Sequence, residues 1–158
     1  MSDYSMLING EAATAEHAIE VINPATETVI ATVPEASLAQ LDEAVAAARS
    51  ALPDWSARSM DDRRALILKI ADRLEENIGE LAQLLSEEQG KPIEGFAGLG
   101  AMFELGGSLA WIRYTASLDL PIEVIQDNDE ARIEVHRKPV GVVGSITPWN
   151  YPLLITCW

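Results

Sequence analysis

The 158-residue chain carries 25 acidic against 11 basic side chains, a formal charge of −14, and is 48% hydrophobic. That acidity argues against a nucleic-acid backbone binder, since nothing in the sequence supplies the basic patch that releases counterions, and it disfavours an anionic membrane surface. A single cysteine excludes an internal disulfide framework and fits a reducing compartment. Met1 to Asn9 shows no basic stretch followed by an apolar one, so no secretory leader is expected and a cytoplasmic location is.

The opening reads as short strands. Met6 to Ile8 runs into Asn9-Gly10, a strong turn signal, and Ile19 to Ile22 runs into Asn23-Pro24. Glu27 to Val33 alternates with Val29, Ala31 and Val33 on one face, and Pro34 is expected to stop it. Ser37-Leu-Ala-Gln40 has the spacing of a capping box. The helix it opens carries Leu38, Leu41, Val45, Ala48 and Leu52 as one apolar stripe and is expected to end at Pro53.

A second helix should start at Ser59, with Asp61 and Asp62 at its positive end and Leu66, Ile70 and Leu74 buried. Asn77 and Glu80 are placed to cap a third, with Leu81, Leu84 and Leu85 buried before Gly90. After Lys91-Pro92 a longer helix is expected from Ile93 to Ala116, its glycines serving close packing. Pro121 to Gln126 and Ala131 to Lys138 then form a hairpin around Asp127-Asn128-Asp129, with one face toward solvent or a partner subunit.

Every charged residue lies between Asp3 and Lys138, and residues 139–158 carry none. A membrane-spanning helix needs roughly 20 apolar residues. Pro148, Asn150, Pro152, Gly141 and Gly144 argue instead for a buried strand, a turn and a helix start. Pro139 to Ser145 has the near-continuous apolar run of a central parallel strand covered on both faces.

Four candidate sites are weak. Gly95-Phe-Ala-Gly98-Leu-Gly100 follows no strand and lacks the spacing of a phosphate cradle, so helix packing is the better reading. His17 and His136 have no companions at metal-ligand spacing, and no metal is expected. Paired acids such as Glu75-Glu76 read as solvated helix faces. Cys157 has no local base or cation to lower its pKa and reads as a small buried hydrophobe rather than a nucleophile.

Gly144-Ser-Ile-Thr-Pro-Trp-Asn-Tyr-Pro152 is less generic. A buried strand ends at a corner bracketed by two prolines, where open α/β sheets bind ligands. Trp149 offers a flat surface and Asn150 a fixed amide donor, the group an oxyanion site requires. A structural turn with a capping asparagine is the competing reading.

Val140 to Leu154 closely resembles the signature of the NAD(P)-dependent aldehyde dehydrogenase superfamily. Four further stretches match in order: Ile22-Asn-Pro-Ala-Thr-Glu27, the Ala44 to Trp55 helix, Glu88-Gln-Gly-Lys-Pro92, and Arg137-Lys-Pro-Val-Gly-Val-Val143. The resemblance implies an α/β fold, the incomplete N-terminal part of an aldehyde dehydrogenase-like fold. Residues 1–119 would be its strands and helices, 120–138 a protruding hairpin resembling the oligomerisation arm, and 139–158 the first parallel strand, cofactor loop and helix start of a Rossmann-like cofactor domain.

The resemblance also implies that Ile146, Thr147, Pro148 and Trp149 line the site for NAD or NADP. Asn150 would donate its amide to the oxyanion formed when a cysteine thiolate adds to an aldehyde. Hydride then leaves to the nicotinamide, and water hydrolyses the thioester. No position in the 158 residues matches the family's nucleophilic cysteine, general-base glutamate, G-x-T-x-x-G turn or cofactor-site lysine, and Cys157 lies only seven residues after Asn150. The expectation is therefore an N-terminal piece, inactive alone, of a homo-oligomeric enzyme that oxidises an aldehyde to its acid, with no nucleic-acid or membrane partner. The alternative is a non-catalytic module that associates with full-length subunits.

Overall fold

A computed structural model describes residues 2–96 and 99–158. Among these, Met6–Ile8 (β2) and Glu11–Ala13 (β3) form a hairpin whose central residues, Asn9 at φ 54° and Gly10 at φ 82°, are both left-handed as a type I′ turn requires. Ser2–Asp3 (β1) pairs in parallel with Thr28–Glu35 (β5), which pairs antiparallel with His17–Asn23 (β4). Asn23 builds the β4–β5 turn: its Oδ1 accepts from the N–H of Ala25 at 2.9 Å, and its carbonyl accepts from that of Glu27 at 2.8 Å.

Pro34 does not stop β5, but pairs with Ala18 inside the ladder. β1 covers β5 only at Ala31 and Thr32, so Pro34 lies where that edge is open and a missing N–H is tolerated.

The capping box at Ser37 is formed in both directions and opens Leu38–Ala57 (α1). Pro53 lies inside this helix and does not end it. α1 fully buries none of its residues: Leu38 is 82% exposed and Leu41 is exposed, while Val45 and Leu52 of the same stripe are partly covered.

Met60–Glu76 (α2) starts on the Ser59 cap as expected, but buries Ala71 and Leu74 while Ile70 is exposed. Ile78–Gln89 (α3) has no side-chain cap, because the Asn77 amide turns back to donate to the Arg73 carbonyl. It buries Ala82 and Leu85, leaving Leu81 and Leu84 partly covered.

Gly90 ends α3 at φ 75°. A Cβ there would come within 2.8 Å of the Pro24 ring, so glycine is required both by conformation and by the approach of the β4–β5 turn.

The long helix is shorter than its pattern: Ala101–Ser117 (α4) begins eight residues late. Ala97 and Gly98, which fall in the expected helix and glycine motif, lie outside the described residues. Gly95 and Gly100 do not pack a helix face. They close a loop in which a Cβ on either would collide with the other's backbone. That loop returns the chain so that the N–H of Ala101 meets the Pro92 carbonyl at 2.9 Å.

α2, α3 and α4 make the core: Ala71, Leu74, Ala82, Leu85, Leu105 and Ile112 are mutually packed. Arg64 of α2 ties down the end of α4, with Nε donating to the Ala116 carbonyl at 2.6 Å and Nη2 pairing with Asp119 at 2.8 Å.

Glu123–Asp127 (β6) and Arg132–Val135 (β7) form the expected hairpin. It carries its own ion pairs, Arg132 to Asp127 and to Glu134, and the Arg132 guanidinium with His136 holds the Glu134 carboxyl below the usual carboxylate range. Ile122, Val124, Ile125 and Ile133 remain exposed on it.

The expected strand over Pro139 to Ser145 is absent: no ladder includes these residues among those described. A strand borrows its hydrogen bonds from neighbouring strands, and no described strand pairs with this one. The short helix Pro152–Thr156 (α5) follows and lays Leu153 and Cys157 against the core. Among the described residues no helix is long and apolar enough to cross a membrane.

Candidate active-site loop

The proline-bracketed corner lies between the unpaired stretch and α5. Ile146 is 97% exposed and Trp149 87% exposed, Pro148 is exposed, and Thr147 is partly covered. Trp149 and Asn150 border a shallow recess together with Gln89, Gly90, Lys91, Leu99 and Tyr151. The structure thus brings Glu88-Gln-Gly-Lys-Pro92 against the signature loop, a pairing of stretches some sixty residues apart.

Two residues that sequence reading passed over hold this loop. Glu104, in the first turn of α4, is 0% exposed. Its Oε1 accepts from the backbone N–H of Leu153 at 2.8 Å and of Leu154 at 3.2 Å, serving as the cap that α5 lacks from its own residues. Its Oε2 takes an ion pair from Lys91 Nζ. The same ammonium donates to the Asn150 carbonyl at 2.7 Å and stands 4.6 Å from the centre of the Tyr151 ring.

Among the described residues the Asn150 carboxamide makes no hydrogen bond, so its backbone is fixed while its side chain stays available. Glu104 had one readable signal: it is the sole acidic residue of a largely apolar helix, in its first turn and on the face of Leu105, Ser108 and Leu109.

Cys157 packs half-buried on the core. Burial pushes its thiol above the ordinary cysteine range; a Ser108 hydrogen bond opposes the shift and the Glu104 charge adds to it. Burial thus disfavours the thiolate that a nucleophile needs. Among the described residues no group of three or more histidine, cysteine or acidic side chains gathers as a metal site.

Ile146, Pro148 and Trp149 offer an exposed apolar face and a flat ring on a backbone outside any ladder, surfaces of the kind that an apolar wall for a dinucleotide requires. They do not include a phosphate-binding cation, since Lys91 is already committed to Glu104 and to the Asn150 carbonyl.

The sequence profile of the aldehyde dehydrogenase family matches residues 11–158. The chain is 35% identical to the NADP/NAD-dependent aldehyde dehydrogenase PuuC of Escherichia coli, over 97% of this chain and 31% of that protein. It is 37% identical to aminoaldehyde dehydrogenase 2, peroxisomal, of Pisum sativum, over 97% of this chain and 32% of that one. Among solved structures, an aldehyde dehydrogenase mutant from Bacillus cereus superimposes with a TM-score of 0.90 at 36% identity, over 99% of this chain and 32% of its own. The chain spans about 30% of the length of the curated relatives it matches.

Proposed function

Since the chain belongs to the aldehyde dehydrogenase family, we propose that it forms the N-terminal part of an NAD- or NADP-dependent oxidoreductase that converts an aldehyde to its carboxylic acid. The observation that carries this reading is Asn150: its carbonyl is held by Lys91 while its carboxamide, beside Trp149, makes no hydrogen bond among the described residues.

An amide N–H₂ carried on a backbone held in this way can stabilise negative charge as it develops on the aldehyde oxygen, favouring the transition state over the ground state. Ile146, Thr147, Pro148 and Trp149 provide the apolar wall for the cofactor. A nicotinamide dinucleotide, when bound, supplies the hydride acceptor.

The 158 residues hold no counterpart of the nucleophile or the general base, so this chain alone turns over no aldehyde. The β6–β7 hairpin, with Ile125 and Ile133 uncovered, supports the reading of an arm that joins subunits of a homo-oligomer. The acidic balance, 25 acidic against 11 basic side chains, and the single cysteine support a reading in the cytoplasm, without a nucleic-acid or anionic-membrane partner.

The exposed row of Val140, Val143 and Ile146 favours a second reading, a non-catalytic module that associates with full-length subunits through that surface. Purified chain is expected to form no NADH or NADPH from short-chain or aromatic aldehydes, while a complete polypeptide carrying this segment does. Turnover by the chain alone, above mock-purified controls, overturns the division of labour. A complete polypeptide without aldehyde-dependent turnover favours the second reading.

A further inference from the structure

We infer that Glu104 and Lys91 are a positioning pair for the Asn150 loop: together they fix the backbone of residues 150–154 and leave the Asn150 carboxamide free to act. The geometric part stands on the hydrogen bonds alone; its catalytic meaning rests on the reading of Asn150 given above.

A carboxylate with no exposure is tolerated only when its charge and lone pairs are met. Glu104 is met by three donors: the Leu153 and Leu154 N–H groups on one oxygen and the Lys91 ammonium on the other. Two of the three belong to the loop's own helix, and the third reaches back to the loop through Asn150.

Were burial all that the site required, an apolar side chain of similar volume would serve as well or better. An apolar residue cannot hold two N–H groups and, through a second residue, the carbonyl just before them. The anchors are also separate in origin. Lys91 directly follows the left-handed Gly90 at the end of α3, and Glu104 opens α4. The loop is therefore referenced to two core helices at once. Holding the Asn150 carbonyl restrains the peptide plane between Asn150 and Tyr151, and with it the position of the Asn150 Cα from which the carboxamide projects.

The test has two arms. In the 158-residue chain, amide exchange is followed at Leu153 and Leu154, with Leu109 of the same core as reference. Glu104→Leu should accelerate exchange at both loop amides about tenfold or more, as loss of charge-assisted hydrogen bonds implies, with Leu109 unchanged. Glu104→Gln, which keeps an acceptor oxygen, should change them by less than about threefold. If Glu104→Leu fails to fold, the glutamine variant and the second arm decide.

In a complete polypeptide, Lys91→Met should lower kcat about tenfold with KM for the aldehyde within about twofold, and Lys91→Arg should restore half or more of the loss. Exchange at Leu153 and Leu154 that moves only in step with Leu109, or a kcat indifferent to Lys91→Met, overturns the proposal. An Asn150→Ala enzyme of undiminished kcat would instead remove the role given to Asn150, leaving the exchange arm to judge the pair.

Discussion

α4 and the stretch from Pro139 to Asn150 are both rich in apolar and small residues, yet they end in opposite states. α4 buries Ala101, Glu104, Leu105, Ser108, Leu109, Ile112 and Ala116, at helical spacing. In the other stretch Val140 and Ile146 lie open, each 97% exposed. The difference is one of hydrogen bonding before it is one of hydrophobicity. A helix closes its backbone within itself and needs only one face covered. A central strand needs neighbours on both edges and cover on both faces. The helical region thus closes its own backbone, while the signature segment leaves side chains and backbone uncovered among the described residues.

Substitutions can break or sharpen that contrast. The largest effect is expected in α4: Leu105→Ala, at a fully buried position, should destabilise the chain by about 3 kcal/mol in denaturant unfolding. A loss under about 1 kcal/mol would mean the core is not closed there. Gly90→Ala is next, at about 2 kcal/mol, because it combines a left-handed backbone with a clash against Pro24. That change tests whether the strands and helices are joined at this corner. Glu27, at φ 58°, occupies a conformation that glycine adopts freely, so Glu27→Gly should leave stability unchanged or raise it by up to about 1 kcal/mol. Last, Ile146→Ser should shift stability by less than about 0.5 kcal/mol despite removing a large apolar side chain. A cost like that of Leu105→Ala would show that Ile146 is covered after all.

What the sequence made legible were the features that depend on neighbours in the chain. The Ser37 capping box, the Ser59 cap, the Asn9-Gly10 turn and the left-handed Gly90 are all local chemistry, and all are in place. The fold class and the family were readable from short ordered motifs for the same reason.

Readings that depended on distant partners fared worse. Pro53 and Pro34 look like terminators in the sequence, but α1 runs on past Pro53 to Ala57, and a strand with an open edge tolerates proline. The glycines before α4 suggested helix packing and instead close a loop, because each meets the other's backbone rather than a facing helix. The strand at Pro139 to Ser145 was read from composition, which cannot supply its neighbours. Glu104 and Lys91 were invisible as a pair, since their separation has no helical or strand period.

The most direct measurement compares activity and stability for one variant, Asn150→Ala, in a complete polypeptide carrying this segment. The loop is held through the Asn150 backbone, so removing the carboxamide should lower kcat by about 10²–10³ while thermal stability stays essentially unchanged. A kcat reduced less than about threefold, or lost only together with the fold, would contradict the assignment of Asn150 as the oxyanion donor.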